Sequence, residues 1–442
     1  MLKFGTDGVR GVANLDLTPE VVLALGRAAA RVLGGWQFVV GRDTRLSGPL
    51  LESALVAGLA SEGAHVRLLG VAPTPAVAWL AAEDGVSGAV ISASHNSFED
   101  NGVKLFTATG EKLSDEVEEA LEAELHDLLA HKAPLEPRTG DAIGGASTAS
   151  ADVERWAASV TGSLGGRGLE GLSIVIDCAN GAAGGVAPRV LRALGAQVEV
   201  LHDEPDGTNI NAGCGSTYPA DLQRAVVERG AHAGIAFDGD ADRMLAVAAD
   251  GRLIDGDQII GICAIDRHAR GTLTDDTVVV TVMTNLGFRL GMAAQGIKVH
   301  ETPVGDRYVL EALGQHHWSL GGEQSGHVIF RDLATTGDGL LTAVQLLDVV
   351  GTSGRPLGEL ADAAMTRLPQ VLRNVRVAVK GLDVSDLLAD DVAAVEAELG
   401  DHGRVLIRPS GTEPLVRVMV EAPTLEQAEA AADRLVAKVP SA

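Results

Sequence analysis

Gly234-Ile235-Ala236-Phe237-Asp238-Gly239-Asp240-Ala241-Asp242-Arg243 is a short apolar run that passes directly into three acids at alternate positions. The apolar part reads as a buried strand, and the acids as a loop leaving its carboxyl end. Upstream, Ser173 to Ile176 and Val198 to Leu201 read as further strands with helices between them, so the region is α/β. Downstream, Asp250-Gly251 between apolar runs signals a hairpin. A third α/β region follows, with a strand at Val278 to Val282 and a helix from Asp338 to Val350.

The same alternation fills the start of the chain. Thr18-Pro19-Glu20 opens a helix with a cap and a proline in the first turn, and Phe38 to Val40 is a short buried strand. A helix after Ser47, strands at Val66 to Leu69 and Gly88 to Ala93, and a helix ending near His131 continue it. Pro134 to Ser150, rich in Pro, Gly, Ser and Ala, reads as a linker. The tail differs: strands at Val371 to Val379, Val405 to Arg408 and Val416 to Glu421, with helices within 384–399 and from Thr424. The expected architecture is three similar α/β domains with mixed sheets followed by a smaller α+β domain. Their bounds are 1–145, 146–250, 251–362 and 363–442.

Composition narrows the function. The 442 residues carry 35 Lys and Arg against 60 Asp and Glu, a formal charge of −25, which disfavours nucleic acid and anionic membrane as partners. An anionic substrate therefore needs a local basic pocket. Cys178, Cys214 and Cys263 lack C-x-x-C spacing and read as small buried hydrophobes. No apolar run approaches membrane-spanning length and no signal-peptide pattern opens the chain, so a cytoplasmic protein is expected.

Ligands of open α/β sheets bind beyond the carboxyl ends of strands, so four loops draw notice. Ser92-Ala93-Ser94-His95-Asn96, with Asp100 to Lys104 after it, offers Ser94 as a nucleophile or phosphoryl carrier. Asp238, Asp240 and Asp242 can converge hard oxygens on one cation. A calcium EF-hand is excluded because position six of the loop is Arg243 and position twelve is Ala249. Three carboxylates leave a coordination sphere incomplete, which suits one Mg²⁺ finished by water and phosphate oxygens. Leu320 to His327 sets Glu323 and Ser325 among glycines, a loop suited to hydroxyl groups. Arg408-Pro409-Ser410-Gly411-Thr412 offers a guanidinium fork, hydroxyls and backbone N–H groups to a phosphate. No G-x-x-x-x-G-K-[ST] spacing exists, so the nucleotide-hydrolase P-loop is excluded.

These loops, with Phe4-Gly5-Thr6-Asp7-Gly8-Val9-Arg10-Gly11, occur in one order along the whole chain, which resembles the α-D-phosphohexomutase family. The resemblance implies four domains around a central cleft. It implies that Ser94 is phosphorylated and binds Mg²⁺ with Asp238, Asp240 and Asp242. It further implies that Glu323 and Ser325 meet sugar hydroxyls, and that Arg408, Ser410, Gly411 and Thr412 hold the unreactive phosphate. Arg10, His95, Lys104, Arg243 and His327 then line the reaction centre, with His95 and Lys104 both open as the acid/base. Gly322 to His327 and Val304 to Tyr308 are similar to the glucosamine branch rather than the glucose or mannose branches. The expected partner is a small sugar phosphate, and the assembly admits a homodimer. A glucose or mannose specificity, a non-catalytic sugar-phosphate binder, and a Ser94–His95 hydrolase are the competing readings; the last lacks a G-x-S-x-G elbow. Ser97 stands where the family has proline, which predicts a looser serine loop with its chemical groups intact.

Overall fold

The computed structural model describes residues 8–132, 138–379, 381–382, 384–409 and 414–440. It divides into two units, one of residues 1–282 with 298–361 and one of 283–297 with 362–442.

The first unit holds three mixed sheets. In the first sheet the order is Val9–Val12, Asp100–Phe106, Ser87–Ile91, Gln37–Arg42, His65–Val71, Ala146–Thr148. The last four strands are parallel, as expected from the βα alternation, while Val9–Val12 and Asp100–Phe106 add antiparallel neighbours. Thr18 caps the helix Pro19–Leu33 by accepting from the Val21 N–H at 3.4 Å, as its position before proline predicts. The strand Ala146–Thr148 corrects the reading of 134–150 as a linker throughout. Its three small, exposed residues carry no apolar alternation, yet they pair with Val66, Arg67 and Leu68 at the sheet edge. Residues 133–137 lie outside the described residues.

The second sheet runs Leu253–Ile254, Met244–Ala248, Ala233–Phe237, Ser173–Asp177, Gln197–Leu201, the last three parallel and the first two joined antiparallel through the expected Asp250-Gly251 turn. The third runs Lys298–Thr302, Thr277–Thr281, Leu320–Gly322, Val328–Phe330.

In the second unit, Gln370–Arg376, Leu415–Glu421 and Arg404–Pro409 form a three-stranded antiparallel sheet. Helices Ser385–Leu399 and Leu425–Val436 join it around a core that includes Val416, Val418, Val420 and Leu435. The helix Leu286–Ala294, inside the span 251–362, packs in this unit. A Cβ on Gly287 would lie 1.9 Å from the Thr366 carbonyl oxygen, so only glycine lets the helix approach this closely. Buried Glu421 accepts from Leu286 N–H at 2.8 Å and Arg404 Nε at 2.8 Å, fixing the helix start to the sheet.

One feature of the topology positions the chemistry. Each of the four loops singled out in the sequence joins two antiparallel strands: Ser87–Ile91 to Asp100–Phe106, Ala233–Phe237 to Met244–Ala248, Leu320–Gly322 to Val328–Phe330, and Arg404–Pro409 to Leu415–Glu421. In the first three, whose residues are described, both loop ends are anchored in one ladder, which restrains the side chains more than a loop that leads into a helix would.

Candidate active site

Within the first unit, Ser94 and the acidic loop meet. Ser94 is fully buried and has φ +54°, a left-handed conformation uncommon for a non-glycine residue. Its Oγ donates to Asp238 Oδ2 at 2.6 Å and lies 3.3 Å from His95 Nδ1. The loops approach so closely that a Cβ on Gly239 would sit 2.6 Å from the Ser94 carbonyl oxygen.

Arg45 holds the strained loop. Its guanidinium donates to the carbonyls of Ser94 and Asn96, each at 2.9 Å, of Asp100 at 3.0 Å, and of Ser97. Asp43 Oδ2 pairs with Arg45 Nε at 2.8 Å and accepts from Ser92 Oγ at 2.6 Å. Asn211 adds donations to Ser94 O at 2.8 Å and Asn96 O at 3.0 Å. Sequence reasoning missed all three. The available signal was the position of Asp43 and Arg45 just past the carboxyl end of the strand Gln37–Arg42, where the same strand-end rule applies.

Asp238, Asp240 and Asp242 are all buried, with one carboxylate oxygen from each lying within 4.8 Å of the others. Lys104, on the strand after the serine loop, donates to Asp240 Oδ2 at 2.7 Å and Asp242 Oδ2 at 3.0 Å. Thr74 Oγ1 adds a 2.6 Å bond to Asp240 Oδ2. Burial and the charges of Asp242 and Asp240 push Asp238 well above the ordinary carboxylate range. Burial acts the same way on Asp242, but the Lys104, His327 and Arg243 charges outweigh it and hold that carboxyl well below. Among the described residues, Asp240 Oδ1 and Asp242 Oδ1 are buried without a hydrogen-bond partner. A buried orphan carboxylate oxygen is costly, and a divalent cation satisfies it. The donor set is all oxygen, which fits Mg²⁺.

Cations surround this group. Arg243 Nη1 lies 3.0 Å from His95 Nδ1. Burial, then the Arg243 and Arg10 charges, push His95 below its usual range, so it is neutral near pH 7. Arg10, on the strand Val9–Val12, is thus brought into electrostatic reach of His95. His327 is buried, with Nε2 3.1 Å from Asp306 Oδ2 and Nδ1 3.8 Å from Asp242 Oδ1. Burial alone would lower it, but those two carboxylates raise it to about 10, so it is a cation. Glu323 accepts from the Gly305 N–H at 3.2 Å, and burial raises its carboxyl. Ser325 is exposed on the same loop.

Arg408 belongs to the second unit, and Ser410, Gly411 and Thr412 lie outside the described residues. Arg408 pairs in register with Arg417 on the neighbouring antiparallel strand, and burial with the Arg417 charge lowers its pKa. Arg417 Nε is buried without a hydrogen-bond partner among the described residues. Two guanidinium groups facing across a ladder repel, an arrangement that an anion relieves. Arg417 too escaped the sequence reading, since only the strand register sets it opposite Arg408.

The chain matches the family described as phosphoglucomutase/phosphomannomutase in all four of its parts: domain I over residues 1–131, domain II over 160–251, domain III over 255–368 and the C-terminal domain over 372–438. The chain belongs to this family. Proteins named phosphoglucosamine mutase from Frankia alni and Moorella thermoacetica are 55% and 53% identical to it, over 99% and 96% of this chain and 98% and 96% of theirs. A solved phosphoglucomutase/phosphomannomutase family protein from Burkholderia thailandensis superposes with a TM-score of 0.81 at 26% identity, covering 99% of this chain and 98% of that one. The fold is shared with the Aspergillus fumigatus N-acetylphosphoglucosamine mutase solved with GlcNAc-6P and magnesium, at TM-score 0.70 and 20% identity, over 99% of this chain and 95% of that one. The three mixed sheets of this chain match the family's three alpha/beta/alpha domains, and its small antiparallel sheet matches the C-terminal domain. Among the described residues, no helix is long and apolar enough to cross a membrane.

Proposed function

We infer that this member of the phosphohexomutase family interconverts glucosamine 6-phosphate and glucosamine 1-phosphate, feeding UDP-N-acetylglucosamine and cell-wall precursor synthesis in the cytoplasm. The observation that carries the chemistry is Ser94 Oγ, 2.6 Å from Asp238, on the loop that meets Asp240 and Asp242, each of which has one buried carboxylate oxygen without a hydrogen-bond partner among the described residues. The amino-sugar specificity is supported by relatives more than half identical over nearly the whole chain, all named phosphoglucosamine mutase.

O1 and O6 of one hexose cannot both face a fixed donor, so the protein itself carries a phosphoryl group, on Ser94. In the first half-reaction the Oγ–P bond of phospho-Ser94 breaks as a P–O1 bond forms on glucosamine 6-phosphate. The O1 hydroxyl proton leaves and Ser94 Oγ ends protonated, with Lys104 and His95 the two candidates for the group that handles that proton. The bisphosphorylated sugar turns end for end. Its O6–P bond then breaks as Oγ–P re-forms, the Ser94 Oγ proton leaves and O6 ends as a hydroxyl, releasing glucosamine 1-phosphate.

Ser94, Asp238, Asp240 and Asp242 would hold one Mg²⁺, which when bound neutralises charge on the transferring phosphoryl oxygens. Arg10, Arg243 and the His327 cation add positive charge around the same oxygens. Lys104 keeps Asp240 and Asp242 fixed relative to each other. Glu323 and Ser325 meet sugar hydroxyls, and Arg408 with Ser410, Gly411, Thr412 and Arg417 binds the remote phosphate. That grip supplies binding energy in either sugar orientation.

The deciding experiment replaces Ser94 with Ala and follows glucosamine 6-phosphate conversion with glucosamine 1,6-bisphosphate present. Turnover should fall by at least about 10⁴-fold, because the carrier oxygen is gone; an unchanged rate removes Ser94 from the mechanism. Comparing kcat/KM on glucosamine, glucose and mannose phosphates tests the substrate, and a preference for either neutral sugar overturns the amino-sugar assignment.

A further inference from the structure

A second group of metal-type ligands stands on the sheet that carries the acidic loop, made from residues that the phosphomutase reading leaves unused. Asp177 ends the strand Ser173–Asp177, His202 follows the adjacent parallel strand Gln197–Leu201, and Cys214 lies on the loop that leads to the helix Ala220–Arg229. A carboxylate oxygen, an imidazole nitrogen and Cys214 Sγ from these residues all lie within 4.8 Å of one another. Asp177 and Cys214 are fully buried. The His202 side chain is 27% exposed, which leaves a route for an ion from solvent.

Three features separate this group from a chance meeting of polar side chains. Both oxygens of Asp177 are fixed by backbone donors, the Ala179 N–H at 2.9 Å and the Gly215 N–H at 2.9 Å. The second of these also ties down the residue next to Cys214. His202 Nδ1 lies 3.0 Å from Asp177 Oδ2 yet is buried and, among the described residues, makes no hydrogen bond, so the ring nitrogen facing the group is unsatisfied. On the far side of the ring, Nε2 lies 3.6 Å from Asp221 Oδ2. A carboxylate behind the remote nitrogen of a histidine leaves the near nitrogen as a lone-pair donor, the arrangement that accompanies metal-bound imidazoles.

We propose that Asp177, His202 and Cys214 form a binding site for one divalent transition-metal ion of the zinc class, separate from the three-aspartate group. The mixed oxygen, nitrogen and sulfur donors set its preference. Thiolate and imidazole favour zinc or cobalt over magnesium, whereas Asp238, Asp240 and Asp242 offer hard oxygens alone. Three protein ligands leave a fourth position to water.

The test uses Co²⁺ as the probe on the full-length chain in excess Mg²⁺. The wild type should take up Co²⁺ with a near-ultraviolet thiolate-to-cobalt charge-transfer band that saturates at one equivalent, and Zn²⁺ should displace it. Cys214→Ser should abolish the band. His202→Gln, which keeps the thiol, should weaken Co²⁺ binding at least tenfold, and Asp221→Asn should weaken it about 10–100-fold with the band retained. Cys263→Ser and Asp240→Asn should keep both band and affinity. Thermal melting in Mg²⁺ confirms that each variant is folded, and His202→Gln carries the test if Cys214→Ser is not. The proposal fails if the folded wild type shows no such band, if the band survives Cys214→Ser, or if it disappears with Asp240→Asn. No arm depends on turnover, so the result is independent of the substrate assignment.

Discussion

One sheet carries two ligand groups at the carboxyl ends of its parallel strands, and they differ in how they are assembled. Asp238, Asp240 and Asp242 come from a single hairpin loop, all oxygen, with Lys104 and the Arg243 and His327 cations close by. Asp177, His202 and Cys214 come from three separate segments, with mixed donors and a carboxylate rather than a cation behind them. The difference teaches that strand ends place ligands near one another, while the surrounding charge selects which ligand the group takes. Around the first group, positive side chains compensate three acids and also suit a phosphoryl group. Around the second, Asp221 makes the histidine a better donor.

The largest effect separating the two groups is expected from Arg45→Ala. Arg45 and Asp43 are both fully buried, and Arg45 alone links four carbonyls of the serine loop. Removing it leaves Asp43 as an uncompensated buried charge, a loss of about 3–5 kcal/mol in chemical denaturation. Arg45→Lys keeps the charge but loses the planar fork, so the fold should recover more than the activity does. Equal recovery of both would show that the fork does not position Ser94.

Next comes Asp240→Asn. This change removes one oxygen charge from the first group and half of the Lys104 ion pairing. We expect kcat to fall by roughly 10²–10³, the usual cost of deleting one preorganised electrostatic group, with the Mg²⁺ concentration for half-activity raised. A matching loss of Co²⁺ binding at Cys214 would merge the two groups into one coupled site.

How much of this was legible differs between the groups for a physical reason. The spacing of Asp238, Asp240 and Asp242 is local, so one loop of sequence contains the whole donor set. The clamp on Ser94 is long-range: Arg45 is 49 residues away and Asn211 is 117 away, and only the strand order brings them together. The same holds for Asp177, His202 and Cys214, where the cysteine was read as a small buried hydrophobe. That reading described its burial but missed its neighbours. The buried parallel strands Gln37–Arg42, Ser87–Ile91 and Ala233–Phe237 are legible as continuous apolar runs, whereas the exposed parallel strand Ala146–Thr148 is not. Asp100–Phe106, with Asp100, Asn101 and Lys104 in it, is not legible either, because its polar residues serve the site and hide the strand pattern.

Asp338 offers a further buried carboxylate for comparison, one on which burial outweighs the charge of nearby His327. It caps the helix Gly339–Ser353, accepting from the Leu341 N–H at 2.9 Å and from Trp156 Nε1 at 3.0 Å, and burial raises it to about 6. A carboxyl whose pKa is higher in the fold than in the unfolded chain binds its proton more tightly when folded. Its contribution is therefore full below about pH 4 and lost as pH rises through about 6. Asp338→Asn keeps a good cap and removes the titration. Between pH 7 and pH 5, wild type should gain about 1 kcal/mol relative to the variant, followed by denaturant unfolding with tryptophan fluorescence as the probe. A parallel pH dependence in both proteins would mean that Asp338 remains ionised.

The smallest effect belongs to Ser97→Pro, which restores the proline of the family pattern. The sequence predicts that serine here loosens the loop. In the structure, however, the restraint a ring would supply is largely present already, because Arg45 and Asn211 hold the carbonyls of Ser94 and Asn96, and Arg45 holds that of Ser97 itself. Ser97 is exposed, so the ring meets no core packing. Proline should then act chiefly on the unfolded chain, adding about 0.4–1 kcal/mol of stability and changing kcat by less than about twofold. If kcat instead rises tenfold or more, the side-chain clamp is not rigid on the time scale of turnover. The contrast between a firmly held serine loop and a merely assembled second group would then lose its basis. If stability falls, the backbone at 97 is one that proline cannot adopt, and the clamp rather than the residue type sets the loop conformation.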